Sequence, residues 1–223
     1  MPWRGYFDFI DDVDLFVFLD DVPYTRRDWR NRNQIKTAQG LQWITVPVLF
    51  SQTEQTPIHQ VSLDPTQNWR IKHLTAIQRS YSKTPFFNSY WQGFESIIQA
   101  EYASIADLDI ALSLWLMSQL GINTPTKRSH ELSPQGTKTE RLIDILKKVG
   151  ATSYLSGPAA KDYMDNQAFE VAGIKLSFKT YQYDPYPQLY GEFQPAVTVL
   201  DLLFNCGPSA KKHLKSLSAH EFV

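Results

Sequence analysis

The chain has 223 residues, 22 of them basic and 23 acidic, and its isoelectric point lies near 6.5. This balance argues against a dedicated nucleic-acid binder, for which a strongly basic domain is expected. Hydrophobic residues make up 43% of the chain, enough for a sizeable core, and no apolar run reaches the ~20 residues of a transmembrane segment.

The N-terminal third is predicted to contain one helix and three strands. Apolar residues at helical spacing predict a short helix in 1–13. The apolar runs that predict strands lie at 14–22, 41–49 and 57–63. The first of these ends in the acids Asp20 and Asp21, and the polar run 51–56 joins the other two as a hairpin.

Residues 66–121 are predicted to be helical, because apolar residues recur there at steps of three and four. Strands are predicted at 124–132, 152–157 and 174–181, and helices at 137–150, 159–165 and 196–207. This alternation favours an α/β fold with a largely parallel central sheet, nucleotide-binding and Rossmann-like in style. We predict a single domain over 1–223 with a helical insertion at about 66–121.

No signal peptide is visible at the start of the chain. The one cysteine, Cys206, cannot form an internal disulfide and is typical of a reducing compartment. We therefore expect a cytoplasmic protein.

The stretch YTRRDWRNRNQIK, residues 24–36, collects four arginines and one lysine against a single acid. It follows the strand that ends in two acids, and open α/β sheets bind ligands beyond the carboxyl ends of their strands. Guanidinium groups bind phosphates through paired hydrogen bonds. The candidate phosphate-binding residues are Arg26, Arg30, Asn31 and Arg32. The alternative is a set of surface ion pairs, each worth only ~0–1 kcal/mol.

Four polar residues are predicted to support the site. Asp20 and Asp21 have two interpretations, Mg²⁺ binding or anchoring of the arginine loop through Arg26 or Arg32, and we favour anchoring. No His/Cys group has metal-ligand spacing, so no metal site is assigned. Asp201 and Asn205 lie four apart on one predicted helix face and need polar partners, for which the arginines are candidates.

His73 is the candidate catalytic base, since a histidine is the usual side chain for removing a proton near neutral pH. A histidine packed at the edge of a core is an equal alternative. His130, in the phrase KRSHE, has a similar case with less context.

Two further segments are candidates for substrate binding. Ser156 and Gly157 precede a predicted helix start, where free backbone N–H groups bind anions, and Lys161 could contribute; an ordinary turn is the alternative. Tyr186 and Gln188 combine an aromatic ring with an amide, as a sugar pocket does, and also suit a loop packed on the core.

Six phrases occur in order along the chain: PWRGYFDFI, VFLDDV, NRNQIK, WITVPV, ATSYLSGPAAKDYM and PAVTVLDLLFNCG. Together they span Pro2 to Gly207, and the chain resembles the WbqC-like protein family. The family is bacterial and is found with genes for O-antigen and other surface polysaccharides. Its members usually carry a short strand and a QPNYLPW-like phrase before the GYF, whereas here Met1-Pro2-Trp3 stands at that place.

The resemblance implies a transferase of surface-polysaccharide (O-antigen) biosynthesis. Its substrate would be a nucleotide-linked amino sugar that is acylated or aminoacylated, with an acyl carrier protein or acyl-CoA as donor. A nucleotidylyl transferase using Mg²⁺ near the paired acids is a competing interpretation. A non-catalytic protein that binds nucleotide sugars or scaffolds other enzymes is a third.

Overall fold

The computed structural model describes residues 1–50 and 55–222 and has a mixed α/β fold. Its α-helices are α1 (Arg4–Asp11), α2 (Trp69–Tyr81), α3 (Phe87–Gln99), α4 (Ile105–Gln119), α5 (Lys138–Lys148), α6 (Asn166–Val171) and α7 (Val199–Cys206). Its strands are β1 (Phe16–Phe18), β2 (Arg32–Thr37), β3 (Gly40–Thr45), β4 (Thr126–Arg128), β5 (Ser153–Ser156), β6 (Lys175–Phe178) and β7 (Glu221–Phe222).

The strands form three small sheets. β1 pairs in parallel with β4, placing Phe18 opposite Arg128, and β5 pairs in parallel with β6, whose other edge takes the short antiparallel β7. β2 and β3 form a separate antiparallel hairpin. The mixed α/β class is confirmed. The large parallel central sheet is not seen in the described residues, where each parallel pair is only three or four residues long.

Two local expectations in the N-terminal third are wrong. Residues 57–63 are not a strand, and Ile58–Gln60 is a turn of 3-10 helix, because Ile58 and Val61 bury their side chains three positions apart. The arginine stretch is not wholly a loop, since β2 begins at Arg32. The observed hairpin joins β2 to β3, and the predicted hairpin connection at 51–56 falls largely on residues 51–54, which lie outside the described residues.

The helical region predicted at 66–121 is confirmed as α2, α3 and α4. Together with α7 these helices build the larger hydrophobic core, whose fully buried residues include Ile77, Phe94 and Phe204. A smaller core lies between β5, β6 and the helices α5 and α6, around Phe169 and Phe178. Residues of both cores border one groove, described below.

A buried lysine that directly follows β6 pairs with acids of α1 and its C-terminal end. Lys179 is 2% exposed, and its Nζ lies 2.7 Å from Asp8 Oδ2 and also contacts Asp12. A buried ammonium group is costly unless it is paired, and two carboxylates compensate this one.

Among the helices of the described residues, none is both long and apolar enough to cross a bilayer.

Gly207 ends α7 with φ +53° and ψ −129°, a conformation that only glycine adopts easily. A Cβ atom there would lie 2.4 Å from the ring of Phe86. We expect Gly207→Ala to lower the free energy of unfolding by about 3 kcal/mol or more, from backbone strain and overpacking together.

Gly150→Ala is the matched control. Gly150 also has a positive φ, +70°, but nothing lies within 4 Å of the added Cβ, so the expected loss is only about 1 kcal/mol. Urea denaturation of both variants measures the difference. Equal losses would show that Phe86 moves aside at no cost.

Candidate functional site

A groove of about 1250 Å³ runs past the strands β1 and β5, and it is lined by Asp20 but not by residues of β4 or by His130. Its walls are largely apolar and come from α1, β1, α4, α5 and β5. Polar groups enter it from the segment between β1 and β2, where Asp20, Asp28 and Arg30 line it beside Trp29, and from Asn33 of β2. A largely apolar cleft with few polar groups is the usual form of a ligand site.

Asp20 lies at the carboxyl end of β1 and is 3% exposed. Its Oδ2 accepts hydrogen bonds from Arg128 Nε at 2.6 Å and from His130 Nδ1 at 2.7 Å. Its Oδ1 accepts from the His130 backbone N–H at 3.1 Å and, at 3.2 Å, shares the single Ser129 hydroxyl proton with Asp21. Burial raises the pKa of Asp20, but the hydrogen bonds from Arg128 and His130 outweigh it and hold that pKa below its ordinary value.

The ionised Asp20 orients the His130 ring. Because the carboxylate accepts from Nδ1, the neutral ring carries its proton there and leaves Nε2 as a free base, an assignment inferred from the hydrogen bonds. His59 stacks on His130, with ring centroids 4.7 Å apart and planes at 14°. His59 is itself held through Nδ1, which lies 2.9 Å from the Asp20 carbonyl oxygen.

Asp21 has an anchoring role of the kind expected, but with different partners. It accepts a hydrogen bond from Ser129 at 2.6 Å and pairs with Arg141 of α5. Arg128 extends the same network to α4 through Asp107 Oδ1 at 2.7 Å. The paired acids therefore bind β4 and two helices, and neither of the expected partners, Arg26 or Arg32, is among these contacts.

Asp20, His59 and His130 are close enough together for a metal ion to be considered, since one ligand atom from each lies within 4.8 Å of the others. The hydrogen bonds already use both Asp20 oxygens and one nitrogen of each ring. The Arg128 guanidinium on Asp20 would also repel a cation. The arrangement favours a hydrogen-bonded carboxylate–imidazole pair over a metal centre.

The candidate phosphate-binding residues separate in the structure. Arg30 lines the groove and pairs with Asp28, whereas Arg26 is exposed. Asn31 donates to the Val46 carbonyl at 2.9 Å, and Arg32 donates to the Arg27 carbonyl at 2.6 Å. Only Arg30 among these four therefore faces the groove.

Two neighbouring tryptophans stand exposed beside this stretch. Trp29 is 61% and Trp43 44% exposed, and their ring centroids lie 5.5 Å apart. The Arg32 guanidinium lies 4.5 Å from the Trp43 ring centroid. Exposed aromatic rings beside arginines offer a stacking surface for a base or sugar.

His73 is buried on α2 rather than facing the groove. Its Nε2 lies 3.0 Å from the Thr45 carbonyl, and its Nδ1 is buried without a partner among the described residues. Burial lowers the pKa of His73 to about 4. A ring held in this way has little access to a substrate proton.

The 156–161 turn offers a weaker anion site than expected. The helix predicted after it is a single 3-10 turn, Pro158–Ala160, which has little dipole of its own. Ser156 is buried, and its carbonyl accepts from the Lys179 N–H at 2.8 Å. Lys161 is exposed and pairs with Glu221. Among the described residues, no hydrogen bond shows Gly157 arranged to bind an anion.

The remaining candidates form a buried polar network. Gln188 donates to Tyr186 Oη and to the Gln194 carbonyl, both at 3.0 Å, and accepts from Lys36 Nζ at 3.2 Å. Asn205 donates to the Asp201 carbonyl one helical turn back at 2.8 Å. Asp201 is 1% exposed, and its partners are these groups and not the arginine cluster.

His130 is a weaker candidate than His73 in the sequence, and its contact with Asp20 is seen only in the structure. The phrase KRSHE, 127–131, lies inside the segment 124–132 that is predicted as a strand, so the sequence does not place His130 at a strand end. The observed β4 ends at Arg128, and polar residues just past two paired parallel strands meet at one sheet edge. The pairing of β1 with β4 is what brings Asp20 and His130 together. His59 had no positional signal either, because a strand was expected where it lies in a 3-10 turn.

Comparison with known proteins gives consistent results. The family model for the WbqC-like protein family matches residues 1–213. An uncharacterized protein of Mycobacterium tuberculosis, Rv1507c, is 41% identical over 217 residues, which cover 96% of this chain and 94% of that protein. No solved structure matches the chain.

The buried Asp201 should give stability a specific pH dependence. Burial raises its pKa from 3.8 to about 6, against hydrogen bonds from Tyr186 and Tyr81. The native state then binds the proton more tightly than the unfolded state. The free energy of unfolding should therefore fall by up to about 3 kcal/mol as the pH rises from about 4 to about 6.

Asp201→Asn should remove this component and be at least as stable as the wild type at pH 8, measured by urea denaturation across pH. Asp14→Asn, the same change at an exposed aspartate, is the control. An Asp201→Asn variant destabilised equally at pH 4 and pH 8 would contradict the interpretation.

Proposed function

Because the chain belongs to the WbqC-like protein family, we propose that it is a transferase of bacterial surface-polysaccharide assembly. In this proposal it transfers an acyl or aminoacyl group to the amino group of a nucleotide-linked sugar. The observation that carries the proposal is the Asp20–His130 pair, because a free imidazole base lies at the carboxyl ends of two parallel strands and Asp20 lines the groove. Such a location is typical of ligand sites in α/β folds.

The chemistry needs one base. A sugar amine attacks the carbonyl carbon of a thioester donor, so that a C–N bond forms and the C–S bond breaks. His130 Nε2 takes a proton from the attacking amine and returns it to the departing thiolate. Asp20 holds the ring in the required tautomer and stabilises the imidazolium that forms between the two steps.

The nucleotide half of the substrate has a matching surface. Trp29 lines the groove and offers a face on which a base can stack, with Arg30 beside it for a diphosphate. Arg32, which lies over the Trp43 ring, adds positive charge beside Trp29. The donor would be an acyl carrier protein or acyl-CoA, both of which present a thioester.

A nucleotidylyl transferase fits less well, because the acids that would bind Mg²⁺ are already paired with Arg128 and Arg141. Pyrophosphate release from a nucleoside triphosphate would support that activity. Tight binding of nucleotide sugars, without turnover when a range of acyl and aminoacyl donors is added, would support a non-catalytic binding protein.

His130→Gln should lower kcat/KM for amide formation by about 10²- to 10⁴-fold, the usual contribution of a general base. The fold should be retained with a lower melting temperature, since the variant loses the His130 ring hydrogen bond but Arg128 and the backbone N–H of residue 130 still donate to Asp20. A coupled assay of thiol release on a UDP- or dTDP-amino sugar measures the change. His73→Gln is the comparison: if folded His73→Gln loses turnover and His130→Gln keeps it, the base is His73.

Arg30→Ala should reduce the thermal stabilisation that nucleotide diphosphate sugars produce, because ligand binding to the folded state raises its stability. We expect at least half of the shift in melting temperature to be lost. Arg79→Ala, at an exposed arginine of α2 that does not line the groove, should keep it. An unchanged shift in Arg30→Ala would count against the phosphate role.

A further inference from the structure

One half-buried carboxylate in the groove has no cationic side-chain partner among the described residues. Five aspartates line the groove: Asp12, Asp14, Asp20, Asp28 and Asp109. Three of them are paired with cationic side chains, Asp12 with Lys179, Asp20 with Arg128 and Asp28 with Arg30. Asp14 is exposed to water. Asp109, on α4, forms no ion pair within the part of the chain that the structure describes.

Asp109 lies in an unusual position for a charged residue. The α4 residues that line the groove are Ala106, Asp109, Ile110 and Ser113, so the carboxylate sits among small and apolar side chains. Burial raises the pKa of Asp109 to about 6, and the one charge that opposes the shift is the α-amino group of Met1. An unpaired carboxylate in such surroundings is costly, which points to a use outside the fold.

Two hydroxyl groups accompany it. Tyr6 and Ser113 also line the groove, and the pKa of Tyr6 is raised by burial and by the charge of Asp109. A carboxylate and two hydroxyl oxygens that line one groove can accept hydrogen bonds from a donor with several N–H groups. A primary ammonium, with three N–H donors and one positive charge, matches this corner in charge and in hydrogen bonding.

We propose that Asp109, with Tyr6 and Ser113, binds the primary ammonium group of an aminoacyl donor. This rests on the proposed transferase function and selects between its two donor classes, aminoacyl and plain acyl. The sugar amine that reacts must be neutral and lies near His130, so the ammonium at Asp109 belongs to the group that is transferred. Asp109 is a specificity-determining residue in this scheme and takes no part in proton transfer.

Alaninamide and propionamide test the proposal, because they differ only in the amino group. Binding to the full chain is followed at pH 7 by protein-observed NMR titration. We expect alaninamide to bind at least tenfold more tightly than propionamide, and Asp109→Asn to abolish that preference. Ser113→Ala and Tyr6→Phe should each reduce it, and they keep the test open if Asp109→Asn fails to fold.

Three results would overturn the proposal: equal binding of the two amides, no binding of either, or a preference that survives in folded Asp109→Asn. The last would mean that Asp109 only balances the Met1 amino group. His130→Gln should keep the preference for alaninamide. Failure of turnover with this preference intact would therefore count against the proposed function alone.

Discussion

The rest of the site depends on the burial of one negative charge, that of Asp20. A carboxylate that is 3% exposed needs all its acceptor positions filled. Arg128, Ser129 and His130, three consecutive residues after or at the end of β4, fill them. The same hydrogen bonds that stabilise the charge lock the ends of β1 and β4 together and fix the tautomer of His130. Stability and a candidate catalytic geometry therefore come from one set of contacts.

The groove is a consequence of how the hydrophobic residues divide. The larger core is built by the helices α2, α3 and α4 around α7, while the smaller core closes around β5, β6, α5 and α6. Within each core the apolar side chains pack against one another. Apolar residues at the border between the two cores line the groove. Salt bridges, notably those of Lys179 to α1, connect the smaller core to the larger one in place of continuous packing.

Charged side chains in the groove have different energetic roles. Asp12, Asp20 and Asp28 are compensated within the protein and contribute to its architecture. Asp109 forms no ion pair in the part of the chain that the structure describes, and burial raises its pKa. Trp29 is 61% exposed, so most of its apolar ring surface is not covered by other residues. These two residues lie within one groove and are of the kinds that a ligand with a cationic group and an aromatic ring would cover.

The sequence by itself determined the family, the α/β class and most of the helices, because those depend on local periodicity and on ordered phrases such as NRNQIK and PAVTVLDLLFNCG; the helix expected at 159–165 is instead a 3-10 turn, and α6 was not predicted. It also placed Asp20 and Asp21 at a strand end and expected them to anchor other groups. Only the tertiary structure decided which groups those are. Pairing of β1 with β4 brings His130 to Asp20 across 110 residues of chain. Burial also distinguishes the two histidines, since His73 is buried against the Thr45 carbonyl and His130 is partly exposed beside a carboxylate. Such choices are non-local, since hydrogen-bond satisfaction of a buried charge is decided by whichever donors the packed elements bring to it.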